Sequence, residues 1–285
     1  MPPNETSPVS AAPPAAALPA VVLPAVALKE TRHGRMLYLV NDQYIGRALD
    51  CYGEYGQFEG MIFDQIVRPG DVAVEVGANM GAHTVHLAKL VGPGGTVLAF
   101  EPQRTMFYLL CANLALNEHF HVRALNAAAG KTGGNIRVPI LDHRASLNFG
   151  ALSLPNFETG EEVPLFALDS FAFPSLRLIK IDVEGMEFDV LSGARQTIAR
   201  HRPILYVEND RRDKSAELIS LIMEDGYDLH WHLPLLFNPD NFFQKPDNVF
   251  PGVVSVNMLC TPREVSANLT GFRRITSPAD WWTAD

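Results

Sequence analysis

Cysteine is scarce in this chain, and so is positive charge. Three cysteines, Cys51, Cys111 and Cys260, are scattered through 285 residues. Their odd number, with no C-x-x-C pair and no zinc-type His/Cys spacing, indicates neither a disulfide framework nor a zinc site. That usage suits a reducing compartment, so a cytoplasmic location is expected. Lys and Arg number 23 against 32 Asp and Glu, a formal net charge of −9. A nucleic-acid partner would call for a basic surface, and none is expected. There is also no uninterrupted apolar run long enough to span a bilayer. The one biased segment, residues 1–28, mixes Ala and Val with Pro13, Pro14, Pro19 and Pro24, which break a spanning helix. Glu5 is the only charged side chain before Lys29, so a signal peptide's basic region is missing. The expectation is a disordered or polyproline-like tail over 1–28, one domain over 29–285, and no membrane partner. With 47% of its residues hydrophobic, the chain can bury one substantial core.

What is present centres on Gly70-Asp71-Val72-Ala73-Val74-Glu75-Val76-Gly77-Ala78-Asn79-Met80-Gly81. An apolar run behind a Pro-Gly turn reads as a buried strand of a parallel sheet. Two glycines follow, then a helical pattern with Ala82, Val85 and Ala88 near one face. Strand, glycine turn and helix bring backbone N–H groups up to a ligand. The bland alternative is tight strand–helix packing. The spacing is G-x-x-x-G rather than G-x-G-x-x-G, which weakens a dinucleotide reading, and no Lys-Ser/Thr follows, which removes a P-loop. Glu75 would repel a polyphosphate but suit an ammonium or a hydroxyl.

The next strand, Thr96-Val97-Leu98-Ala99-Phe100, ends at Glu101-Pro102. A carboxylate about 20 residues past the turn, at the end of a second strand, is placed to accept from ribose hydroxyls. Helix capping is the alternative for Glu101.

Three blocks now stand together: Glu75-Val76-Gly77-Ala78-Asn79-Met80-Gly81-Ala82-His83-Thr84, Ala99-Phe100-Glu101-Pro102, and Leu178-Ile179-Lys180-Ile181-Asp182-Val183-Glu184-Gly185-Met186-Glu187. In their order and spacing the chain resembles the FkbM family of S-adenosylmethionine-dependent methyltransferases, from Tyr52 to Cys260. The last block is the more specific of the three. Glu75 departs from the family's usual aspartate but keeps the carboxylate. The resemblance implies a Rossmann-like class I α/β fold, with a seven-stranded, mostly parallel sheet and helices on both faces. It implies S-adenosylmethionine as cofactor and O-methylation of a hydroxyl on a sugar or natural-product acceptor. Carried over residue by residue, it implies cofactor contacts from Glu59, Glu75, Gly77, Asn79, Gly81, Thr84, Glu101, Asn126 and Asp182. Glu54 and Tyr55 are implied to line the same pocket. Glu59 would pair with the methionine amino group and Asn126 with the adenine amine. The alternatives for Glu54, Tyr55 and Glu59 are a solvated helix face.

Around these blocks the pattern is of alternating strands and helices. Met36 to Val40 suggests a small hairpin before the core. A helix is expected from Met106 to Asn117, a third strand from Val122 to Gly130, and an excursion of short strands from Lys131 to Phe166 that shapes the acceptor pocket. A fourth strand, Leu176 to Ile181, presents Asp182 and Glu184 at its carboxyl end, where open α/β sheets bind ligands. Three roles stay open for this pair: proton acceptor, oxygen ligands of a divalent cation, or caps of a helix from Met186 to Arg200. The metal question is thus open, although His119/His121 and His230/His232 lack a third ligand nearby. The fifth strand ends at Glu208 and Asn209, candidates for acceptor hydroxyls. A helix from Ser215 to Asp225 precedes a sixth strand, Tyr227 to His232. His232 is a candidate base or a packed loop histidine. The last strand is Val253 to Cys260. Trp281 and Trp282 in the C-terminal tail would dock on the core or on a partner chain, so a homodimer stays open. Two other functions are kept: a non-catalytic nucleoside-binding scaffold of this fold, and a nicotinamide-dependent dehydrogenase.

Overall fold

In the computed structural model of the chain, residues 26–152, 157–265 and 269–283 are described. Most of the expected tail lies outside them, but Val26, Ala27 and Leu28 open the first strand. Strands β1 (Val26–Thr31) and β2 (Gly34–Leu39) form an antiparallel hairpin. Helices α1 (Ile45–Tyr52) and α2 (Gln57–Ile66) follow. The core then alternates β3 (Val72–Val76), α3 (Ala82–Val91), β4 (Thr96–Phe100), α4 (Arg104–Leu116) and β5 (Arg123–Leu125). An excursion carries β6 (Ala128–Ala129), β7 (Gly134–Val138) and β8 (Glu161–Phe166). The chain returns through β9 (Leu178–Ile181), α5 (Glu187–Ser192), α6 (Arg195–His201), β10 (Ile204–Glu208) and α7 (Arg212–Glu224), and ends in β11 (Tyr227–His232), β12 (Asn257–Pro262) and β13 (Arg273–Ile275).

The main sheet has the order β13-β11-β12-β10-β9-β3-β4-β5. Pairs from β5 through β10 are parallel, and β12 runs antiparallel between β10 and β11. This is the Rossmann-like class I arrangement, with one strand more than the seven expected. The extra strand, β13, pairs with β11 at the edge. Its three residues, Arg-Arg-Ile, carry no alternation long enough to announce a strand. From β3 the chain moves outward to β4 and β5, then crosses back to β9 on the other side. The carboxyl ends of β3 and β9 therefore flank a topological switch point, where a ligand crevice opens.

Period-two alternation covers both faces. Val72, Val74 and Val76 pack with Ile179, Ile181, Leu205 and Val207 against Leu191, Ile198, Leu218 and Ile222 of α5 to α7. Ala73, Val97, Leu178 and Ile204 face the other way, onto Phe63 of α2 and Leu87 and Val91 of α3. Each such aliphatic side chain contributes about 1.5–3 kcal/mol by burial. Among the described residues, no helix is long and apolar enough to cross a membrane.

Three expected boundaries shift for physical reasons. The third strand divides: β5 stays in the main sheet, while β6 joins β8 in a small sheet of order β6-β8-β7. The helix expected from Met186 to Arg200 breaks at Gly193, where a Cβ would lie 2.1 Å from the Gly130 carbonyl oxygen. The last strand begins at Asn257 rather than Val253, because the preceding residues turn into the cavity described below. The tail docks on the core: Trp281 packs edge-on against Trp231, ring centres 5.9 Å apart.

Candidate active site

A cavity of about 340 Å³ opens at the carboxyl ends of β3, β4, β9 and β10. Its floor is the glycine turn. Gly77 has φ +87°, and a Cβ there would sit 1.8 Å from the Asp182 carbonyl oxygen. Only glycine lets the ends of β3 and β9 approach this closely. Asn79 follows in the left-handed region, φ +50°, and its backbone N–H donates to Glu101 Oε2 at 2.7 Å. Gln103 N–H donates to the other oxygen, Oε1, at 2.7 Å. Glu101 is thus oriented by two backbone donors, and each oxygen keeps a further lone pair. Burial pushes its pKa up to about 7, against the pull of those two N–H groups.

Beside the turn lies a buried charge cluster. Glu75 and Lys180 are register partners across β3 and β9, with Lys180 Nζ 3.8 Å from Glu75 Oε1 and 3.1 Å from Asp182 Oδ2. Burial opposes the lysine's charge, but Asp182, Glu75 and Glu59 outweigh it and hold its pKa above the ordinary value. Burial raises Glu75 and Glu59 to about 7, with Lys180 pulling both down. Thr84 donates its hydroxyl to Glu75 Oε2 at 2.6 Å.

At the far end stand Asp182, Glu184 and Glu208. One carboxylate oxygen from each lies within 4.8 Å of the others, so an all-oxygen set for a hard divalent cation exists in principle. Arg211 already occupies Glu184, donating to Oε2 at 2.7 Å. Burial, then Asp182 and Asp210, raises Glu184 to about 7. Burial and Asp182 raise Glu208 well above the carboxylate range, and its Oε2 has no hydrogen-bond partner among the described residues. The capping role is taken by neither Asp182 nor Glu184. Glu187 closes the turn instead, accepting from Gly185 N–H at 2.8 Å and Val183 N–H at 3.3 Å. Glu184 itself is held at φ +57°, a strained value for a residue with a side chain.

Two segments roof the cavity. Residues 148–152 of the excursion are tied down by Asp42, which accepts from Gly46 N–H at 2.9 Å and Phe149 N–H at 3.3 Å. Residues 253–257 form the other side, and Asn238 and Phe242 of the same long loop are held by Glu54 at 2.8 and 2.9 Å.

A family model for the Methyltransferase FkbM domain matches residues 75–229, more than half of the chain. The chain belongs to the FkbM methyltransferase family. Among solved structures it is similar to methyltransferase FkbM from Methylobacillus flagellatus, at 18% identity over 77% of this chain and 55% of that one, TM-score 0.42. It is also similar to precorrin-6y C5,15-methyltransferase from Geobacter metallireducens, at 11% identity over 72% and 86%, TM-score 0.46. A third is a putative methyltransferase from Streptococcus mutans in complex with SAH, at 12% identity over 72% and 96%, TM-score 0.41. The chain spans little more than half the length of the Methylobacillus protein. No curated protein sequence matches it.

The cofactor of this FkbM-family fold, S-adenosylmethionine, suits the donor set. Three residues lining the cavity each carry a buried side-chain atom without a hydrogen-bond partner among the described residues: His83 Nε2, Gln103 Oε1 and Glu208 Oε2. A ligand rich in N–H and O–H groups answers two of those acceptors directly. Of the residues expected from sequence, Glu59, Glu75, Gly77, Asn79, Glu101, Asp182 and Glu184 line the cavity, as does Tyr55. Others do not. Gly81 starts α3, where a Cβ would press on Leu110 Cδ1 at 2.7 Å, and Thr84 acts only through Glu75. Asn126 is spent on the Glu101 and Pro102 carbonyls at 2.9 and 3.0 Å, clamping the turn that carries Glu101. Asn209 bonds Ser215 at 2.9 Å. His232 also lies outside the cavity wall, since β11 is two strands out from β10. Its Nδ1 pairs with the Tyr206 hydroxyl at 2.8 Å. Sequence reasoning passed over His83 and Gln103 as site residues. His83 lies inside the Glu75–Thr84 block and Gln103 directly follows Glu101-Pro102, which is the signal for both.

Proposed function

We propose that this protein transfers a methyl group from S-adenosylmethionine to a hydroxyl oxygen of a sugar or natural-product acceptor. One observation carries the reading: a single cavity joins Glu101, at the end of β4, to Asp182, Glu184 and Glu208 at the ends of β9 and β10. When bound, the cofactor supplies an electrophilic methyl group on a sulfonium. The protein supplies place and proton transfer. Glu101, fixed by Asn79 and Gln103, accepts from the ribose hydroxyls, and Glu59 faces the methionine end.

Asp182 takes the acceptor's proton. Its side chain is 35% exposed, and it is charge-paired with Lys180. Glu184 is tied to Arg211. Glu208, pushed toward its neutral form, donates a hydrogen bond to the acceptor instead. The Arg211 guanidinium at Glu184 opposes a second cation there, which favours a general base over a metal. Positioning of this kind is worth on the order of 10⁵ M or more in effective concentration, and proton removal about 10²–10⁴ in rate. The net charge of −9 supports a small acceptor over a nucleic acid, and the cysteine usage supports a cytoplasmic site of action. Calorimetry tests the reading: S-adenosylhomocysteine binds and NAD does not. The reverse result removes it.

A further inference from the structure

His83 is 6% exposed, lines the cavity, and has an Nε2 with no hydrogen-bond partner among the described residues. That nitrogen lies 3.5 Å from Glu59 Oε2, beyond a good hydrogen bond but close enough for both atoms to meet one ligand group. The ring is held from three sides. Tyr55 tilts against it at 5.6 Å and Phe63 stands edge-on at 5.4 Å. Gly56 makes room on the third side. It sits at φ +58°, and a Cβ there would strike His83 Cε1 at 2.6 Å. A packed ring with one unanswered nitrogen beside a buried carboxylate is a fixed pair of acceptors. Ser255 lines the cavity together with Glu59. Burial, then the Lys180 charge, keeps the imidazole neutral, which leaves a lone pair on one ring nitrogen.

Two convergent acceptors select a group with several N–H donors and a positive charge. We propose that His83 is a further cofactor-binding residue, which accepts a hydrogen bond through Nε2 from the α-ammonium of the methionine portion while Glu59 pairs with its charge. This rests on the methyl-donor reading above, and it adds a residue that neither the family match nor the motif spacing assigns. The tautomer follows: the ring proton sits on Nδ1 when the ligand is bound.

The test is calorimetry with three ligands: S-adenosylhomocysteine, its analogue with the amino group replaced by hydrogen, and methylthioadenosine. His83→Phe keeps an aromatic ring between Tyr55 and Phe63 but has no acceptor. It is expected to weaken S-adenosylhomocysteine about tenfold or more, the worth of a hydrogen bond to a charged group, while the other two ligands bind as in the wild type. His83→Leu, with a thermal melt to confirm folding, gives the same pattern if the phenylalanine variant does not fold. Equal weakening of all three ligands, or of none, overturns the assignment of His83 alone. A wild-type protein that binds none of them overturns the methyl-donor reading, and this assignment with it.

Discussion

Lys180 Nζ lies 3.1 Å from Asp182 Oδ2, two residues along the same strand end, with the lysine side chain only 2% exposed. The same amine faces Glu75 across the sheet at 3.8 Å. One buried cation therefore links a carboxylate at the cofactor turn to the proposed base. Lys180→Met leaves both acids without their counter-charge. The expected loss of stability is about 3–5 kcal/mol, as for other broken buried pairs, read by urea denaturation. Unchanged stability would mean that the cluster is better hydrated than its burial indicates.

Asp182 and Glu208 are expected to respond differently to isosteric amides. Asp182→Asn removes the proton acceptor and lowers turnover by about 10²–10⁴. Glu208→Gln mimics a neutral acid and keeps most of the activity. If Glu208→Gln were as damaging as Asp182→Asn, and a chelator equally so, the three acids would be binding a cation. Single-turnover assays with and without chelator decide it.

His232 gives a pH prediction. Burial lowers its pKa from 6.5 to about 4. Its folded pKa thus lies below its unfolded value. The stability it contributes is present above about pH 6.5 and lost as pH falls toward about 4. His232→Phe abolishes that loss. Relative to wild type, the variant gains stability as pH drops through this window, with turnover at neutral pH unchanged. Denaturation at several pH values gives the first result. A collapse of turnover in a folded variant would return His232 to the chemistry.

Asp42, 1% exposed, holds the residue 148–152 side of the roof. Asp42→Ala strips acceptors from Gly46 and Phe149, at about 1–3 kcal/mol for each donor left without a partner. Limited proteolysis should then cut first within the residue 140–152 loop. Cleavage elsewhere first would show that the roof is anchored by other contacts.

Much of this fold was legible from sequence because it is carried by local patterns. The run Val72 to Val76 with its turn at Gly77, and the strand Thr96 to Phe100 with Glu101 after it, are each contiguous in sequence, so their geometry follows from local pattern. The β11 strand, Tyr227 to His232, alternates buried and half-buried along its whole length and was placed to the residue. What escaped depends on distant neighbours. Nothing near Gly193 announces that the Gly130 carbonyl will pack against it, or that its own carbonyl will accept from the distant Asp169 N–H, where the helix breaks. Asn126 sits at the expected strand end but turns its amide back onto the Glu101 turn. Histidine as a residue type suits a base, yet the sheet order, set by the antiparallel insertion of β12, carries His232 away from the cavity, and burial lowers its pKa to about 4. Roof residues such as Ser255 come from a loop more than a hundred residues from the glycine turn, and no periodicity links the two.

The measurement that bears most directly on the proposed activity is mass spectrometry of hydroxylated sugars and natural products incubated with the protein and methyl-deuterated S-adenosylmethionine. The prediction is transfer of the intact labelled methyl to an acceptor oxygen, strongly reduced in Asp182→Asn. Tight binding of S-adenosylhomocysteine with no labelled product from any hydroxylated acceptor would contradict it, and would leave a nucleoside-binding scaffold in its place.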